Sequence, residues 1–300
     1  VIAAISSLAI ALGLMIVLSL SLNLAVGHTG LFNLGHAAFY AIGAFTGTLL
    51  MVRLGCPWLL ALLAGGLLSA CFGYLIGLLT LRLSGDYFAI ATLGLAVVTS
   101  SVLLNWQSLT RGPMGIPGIP RPSIAGVHVA ADWQLALLVA AFVAVTWFVI
   151  GRLTRSPWGR LLRAIRDDEI AAQALGKRTL TMKTQAVALS AFFTGCAGVI
   201  YAGYLQYIDP TIFNINLTIA VLVAVIFGGM GNNAGAVVGA TLLTLFQQMM
   251  VWFNVPSAVA GTLQQIVYSI LLVVMMILRP KGMVSEGVVA RAMRETRAEG

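Results

Sequence analysis

The feature that most constrains this chain is a series of apolar runs, several of which reach or pass the ~18 to 20 residues that cross a bilayer as helix. Nine such segments can be marked, at roughly 3–26, 35–52, 58–79, 87–106, 133–150, 183–205, 217–229, 234–253 and 261–278. With 60% hydrophobic and 9% charged residues, one soluble core is excluded. The chain is expected to be an all-α, polytopic integral membrane protein of about nine spans, one or two of them broken or re-entrant. The first run, "VIAAISSLAIALGLMIVLSLSLNLAVG", has no basic flank and no small-residue cleavage site, so it is expected to be retained as a span.

Two regions interrupt the apolar pattern. "FGGMGNNAG" separates the seventh and eighth segments, and "GLFNLGHAAFYAIGAFTGTLL" carries Asn33, His36 and four glycines. Non-helical backbone at membrane depth is tolerated only where it is buried in protein or lines a cavity, so these are candidates for the working interior. Gly231, Gly235 and Gly239 make two successive GxxxG steps, and Gly43–Gly47 and Gly73–Gly77 are further pairs. Close helix packing through small residues is the favoured reading of all three. "GHAAFYAIGAFTGTLLM" and "GNNAGAVVGATLLTLF" share a Gly/Ala/Thr/Leu texture, which reads as the trace of an internal repeat.

Lys and Arg set the orientation. With nine crossings and the carboxyl end inside, fourteen of the seventeen basic residues fall on one side, leaving Arg53, Arg111 and Arg121 opposite. That places the amino terminus outside and the stretch 152–183 in the cytoplasm. The net charge of +8 is thus a matter of loop placement, not of nucleic-acid binding. On the outer side, four of the nine prolines fall within ten residues, 113–122. That loop should be stiff, and it reads equally as a connector or as a docking surface.

Several chemistries lack their residues. Asp86, Asp132 and Asp209 sit at span ends and no span carries a mid-membrane carboxylate pair, which argues against ion-coupled transport. "ALGKRT" is not a phosphate-binding loop: Lys177 is followed by Arg178, and position 171 is alanine. Cys56, Cys71 and Cys196 and the three histidines have no metal-ligand spacing. No hydrolase constellation is present either.

Eight of the 26 charged residues crowd into Arg160–Thr179, "RLLRAIRDDEIAAQALGKRT". Ser156-Pro157 is a helix start, and Gly176 with Lys177 and Arg178 a stop, predicting one helix over about 157–175. At 100° per residue Leu161, Ile165, Asp168, Ala172 and Leu175 share one side. Arg160, Arg163, Arg166, Asp167, Glu169 and Ile170 share the other. Lipid would favour the bases, but not acids at 167–169, so a protein partner suits this mixed face better.

Taken together these segments resemble the M-type (LivM-like) permease subunits of branched-chain amino acid ABC importers. The resemblance rests on "GLFNLGHAAFYAIGAF", "GDYFAIATLGLA", "LTRGPMGIPGIP", "SPWGRLLRAIRDDEIAAQALG", "FFTGCAGVIYAG", "GGMGNNAGAVVGA" and "LRPKGM", in order over about 27–283. It implies one permease domain over 1–283, a cytoplasmic tail over 284–300, and a bacterial inner-membrane location. The 157–176 helix would be the coupling element, with Arg160, Arg163, Arg166, Asp167, Glu169, Ile170, Ala172 and Gly176 as its contact set. "EIAAQALG" looks like the family's form of the EAA motif, with one extra residue, Ile170.

The implied partners are a second, H-type permease, two ABC ATPase subunits and a periplasmic solute-binding protein, beside lipid and a small-molecule substrate. No cofactor is expected in this chain, ATP and Mg being bound by the ATPases. Substrate would move by alternating access, with no covalent chemistry done here. Asn33, His36, Thr92 and Asn105 are the candidates for the path, each also readable as a packing or capping group. A urea or short-amide importer permease and a stand-alone channel or carrier are the competing readings.

Overall fold

The computed structural model describes residues 2–80, 86–124, 127–129, 131–252 and 256–278. The expected tail over 284–300, Arg82 and the basic residues at 279–297 lie outside them. Nine long helices coincide with the nine apolar segments: α1 (Ile2–Thr29), α2 (His36–Leu54), α3 (Trp58–Thr80), α4 (Asp86–Asn105), α6 (Asp132–Arg155), α9 (Thr179–Leu205), α10 (Ile215–Gly228), α11 (Asn233–Trp252) and α12 (Ser257–Leu278). Three shorter helices, α5 (Gln107–Thr110), α7 (Pro157–Asp167) and α8 (Glu169–Ala174), lie in the connections. Eight helices among the described residues are long and apolar enough to cross a membrane; the ninth expected span falls in α12. The protein is a multi-pass, all-α membrane protein.

The breaks lie close to where the sequence placed them, with one difference. The second segment is not itself discontinuous: α2 is unbroken, and the interruption is residues 30–35 ahead of it. The other break, 229–232, follows α10, whose 14 residues, ~21 Å of helix, make a span of membrane length only together with the turn from Pro210 ahead of it. The two segments of like texture, α2 and α11, each begin directly after one of these breaks.

Helix α9 forms the centre, packed on α1, α2 and α3. Its small residues let backbones approach. A Cβ at Gly43 would collide with the Gly195 carbonyl, so α2 and α9 touch main chain to main chain. The expected Gly73–Gly77 pair likewise faces Ala191 and Thr184 of α9. Gly235 and Gly239 seat α11 on α10, against Gly228 and Ala224. Gly231, expected to extend that ridge, instead lies in the turn at φ 84°.

The loops segregate to two ends. At one end the proline-rich loop is tied down. Its strand β1 (Ile116–Pro117) pairs antiparallel with Tyr207–Ile208, and Ser123–Ile124 pairs with Val127–His128. Arg53 donates to the carbonyls of Ser108 and Leu109 at 2.7 and 2.9 Å, and Arg121 bonds Asp132 at 3.0 Å. The opposite end carries both breaks together with α7 and α8.

Candidate functional site

The charged stretch is two helices, not the single helix its caps predicted. Ser156 caps α7 by accepting from the Gly159 N–H, with Pro157 in the first turn. Asp168 then turns extended, φ −155° and ψ 101°, while its carboxylate accepts the Ala171 N–H at 2.9 Å. The break gives the second helix a capped start, at which Asp168 and Glu169 meet its positive amino end. The expected stop holds: Gly176 adopts φ 73°, and Gly176 and Lys177 N–H groups return to Gln173 and Ala172 carbonyls at 2.8 and 3.1 Å.

That kink rearranges the faces. Leu162, Ile165 and Ala172 are buried, but Leu175, expected on the inner side, is 78% exposed, and Asp168 is exposed at the bend. Ile170 is 80% exposed, as its position among mixed charges implied. Arg160, Asp167 and Gly176 also face out, and Arg163 is half-buried. Glu169 of the outer face is half-buried and pairs with Lys183 of α9 at 2.6 Å, while Arg166, exposed as expected, reaches back to donate to the Gly27 carbonyl of α1.

Arg166 enters a junction of both breaks. Its side chain lies under Gly30 and against Gly231, where a Cβ would stand 2.8 Å from the guanidinium and 3.1 Å from the Gly27 oxygen. Only a glycine admits this approach at φ 84°. Asn23, fully buried in α1, completes the junction. Its Oδ1 accepts the Gly231 N–H at 2.9 Å and its Nδ2 donates to Asn233 Oδ1 at 3.2 Å. Sequence reasoning passed over Asn23, although a carboxamide inside an apolar run is a signal in itself.

The four path candidates do not form one line. Asn33 and Thr92 hold the entrance to α2, through Gly35 N–H to Asn33 Oδ1 at 2.9 Å and Leu34 N–H to Thr92 Oγ1 at 3.1 Å. His36 points into the bundle, its Nε2 3.2 Å from Ser21 Oγ and 3.1 Å from Thr194 Oγ1. Asn105 lies at the far end of α4, exposed, bonding its own helix at Ser101. A set not picked out from sequence surrounds a cavity of about 450 Å³ between α10, α11 and α12. There Gln265 donates to Asn216 and Gln247 to the Tyr268 hydroxyl, both at 2.8 Å. The paired glutamines 247–248 and 264–265 inside apolar segments were the available sign.

Residues 4–278 match the family model described as branched-chain amino acid transport system / permease component. The chain belongs to this permease family. It is 36% identical over 291 residues to the high-affinity branched-chain amino acid transport system permease proteins LivM of Salmonella typhimurium and Escherichia coli, covering 89% of this chain and 67% of each of theirs. The autoinducer 2 import system permease protein LsrC of Klebsiella pneumoniae is 27% identical over 177 residues, 56% of this chain and 49% of that protein. No solved structure matches the chain.

A member of this permease family is a transport subunit, not an enzyme. The Glu169–Lys183 pair ties α8 to α9. Lys183 is nearly buried and Glu169 partly open. Glu169→Ala should destabilise by about 1–2 kcal/mol, since it strands the ammonium, while Glu169→Ala with Lys183→Met should recover most of the loss. Thermal unfolding of the two variants in detergent checks this; equal losses would show that the pair does not couple the helices.

Proposed function

We propose that this chain is a permease subunit of an ATP-driven importer for branched-chain amino acids, with α7–α8 as the element that docks on an ATPase. The observation that carries it is the form of that element. A charged two-helix unit leaves Ile170 and Leu175 bare at one end of the bundle, while Arg166 and Glu169 anchor it inward. Exposed aliphatic residues ringed by charge suit a protein groove better than water or lipid. The family and its LivM relatives support the substrate class.

The remaining parts belong to the same reading. The partners are an H-type permease, two ATPases that bind ATP and Mg, and a periplasmic solute-binding protein. The location is the bacterial inner membrane, with α7–α8 and the carboxyl end cytoplasmic, in keeping with the concentration of basic residues. The amide-lined cavity at the outer ends of α10–α12 is the better candidate for the path. Uncharged carboxamides can meet both ends of a zwitterion without the cost of a buried charge.

Ile170→Asp should cut recovery of the ATPase with the purified permease by about 30-fold, as expected for an interface anchor worth ~2 kcal/mol. Uptake into reconstituted vesicles should fall with it. Normal uptake by a variant lacking 157–176 would sink the proposal.

A further inference from the structure

A cavity of about 1050 Å³ opens at the α7–α8 end, among the carboxyl end of α6, the start of α7 and the 229–232 turn. Its lining is graded along α6. Trp147 and Phe148, both substantially exposed, lie toward the membrane interior. Arg152 and Arg155 follow ~8 and ~12 Å further along the axis, and Arg163 joins them from α7. No aspartate or glutamate is among the lining residues, and the amino end of α11 opens into the same space. At the base lies His28 of α1, 2% exposed and beside the Asn233 side chain that opens α11.

We infer that this cavity seats the phosphate-bearing headgroup of an anionic phospholipid. Guanidinium forks fit phosphate oxygens, and the α11 amino terminus adds positive dipole. A free phosphate would use the arginines but has no need of the aromatic wall. An acidic peptide would likewise leave Trp147 and Phe148 unexplained. A lipid uses both, with its phosphate on the basic floor and its upper acyl chains against the rings. Because α6, α7 and the 229–232 turn all wall the cavity, the bound lipid would brace the coupling segment against the bundle.

The test uses the full chain, purified from membranes with its native partners and placed in nanodiscs of phosphatidylglycerol or phosphatidylcholine. Lipid retained on detergent extraction is counted by native mass spectrometry. Wild type should retain phosphatidylglycerol in preference. Retention should fall about five-fold for R152Q and about 30-fold for R152Q/R155Q, each arginine contributing as a basic residue near an anionic surface does. Where the double variant fails to fold, R152Q alone carries the test. Trp147→Ala should weaken retention with the charge intact, whereas Arg178→Gln, the same charge loss at the same end outside the cavity, should not. Unchanged retention in R152Q/R155Q, an equal loss in Arg178→Gln, or displacement of the lipid by inorganic phosphate would each overturn the assignment.

Discussion

Arg166→Ala is expected to leave ATP hydrolysis by the partner ATPases running while uptake falls at least about tenfold. The side chain joins α7 to the Gly27 carbonyl at the end of α1 and rests against Gly231 in the second break. Under the proposed coupling role, motion of α7 would be delivered to the carboxyl end of α1 and the 229–232 turn. A charge-assisted hydrogen bond to a partly buried carbonyl contributes about 1.5–3 kcal/mol, or about 10- to 100-fold in a two-state balance. Arg166→Lys should be intermediate, since an ammonium keeps the charge and loses the planar fork. The measurement is ATPase rate and substrate uptake on the same proteoliposomes. Parallel loss of both, with the ATPase no longer bound, would make Arg166 a docking residue and remove its role as a link.

Gly235→Ala with Gly239→Ala should be the most damaging change to the fold itself. At either position a Cβ would lie inside contact distance of a backbone carbonyl, Gly228 in one case and Ala224 in the other. Main chain cannot swing away as a side chain does, so α10 and α11 must separate. Overpacking costs about 1–3 kcal/mol per site, and lipid offers no hydrophobic drive to close the helices again. The folded yield by size-exclusion chromatography should collapse, with a lower melting point for what remains. Gly94→Ala is the control: nothing lies within 4 Å of its Cβ position, and alanine should be neutral or stabilising by up to about 1 kcal/mol. Similar melting points for the two would mean that the α10–α11 contact is not close-packed.

Much of the fold was legible because a bilayer imposes a length. Nine apolar segments became nine long helices, and even the short seventh survived as the 14-residue α10. The caps of the charged stretch were equally legible, since Ser156 and Gly176 act on backbone groups within four residues. The break at Asp168 was less so, because helical periodicity carries no signal for a side-chain cap inside a continuous pattern. The inner and outer faces drawn from a single unbroken helix consequently failed at Leu175 and at Glu169.

The candidate path shows the limit most clearly. Polar residues in spans are easy to find, but the sequence does not say which of them face one another. His36 meets Ser21 and Thr194 across 15 and 158 positions, while Asn105 bonds only its own helix.

The sequence by itself determined that this chain spans a membrane, where it breaks, and that its charge is concentrated in one segment between two spans. These follow from local quantities: run length, glycine, caps and the count of charges. The tertiary structure decided that Arg166, Gly27, Gly231 and Asn23 form one junction. Their separations run up to 208 positions, between Asn23 and Gly231. Such a meeting depends on how helices cross, and crossing is set by which glycines let two backbones touch.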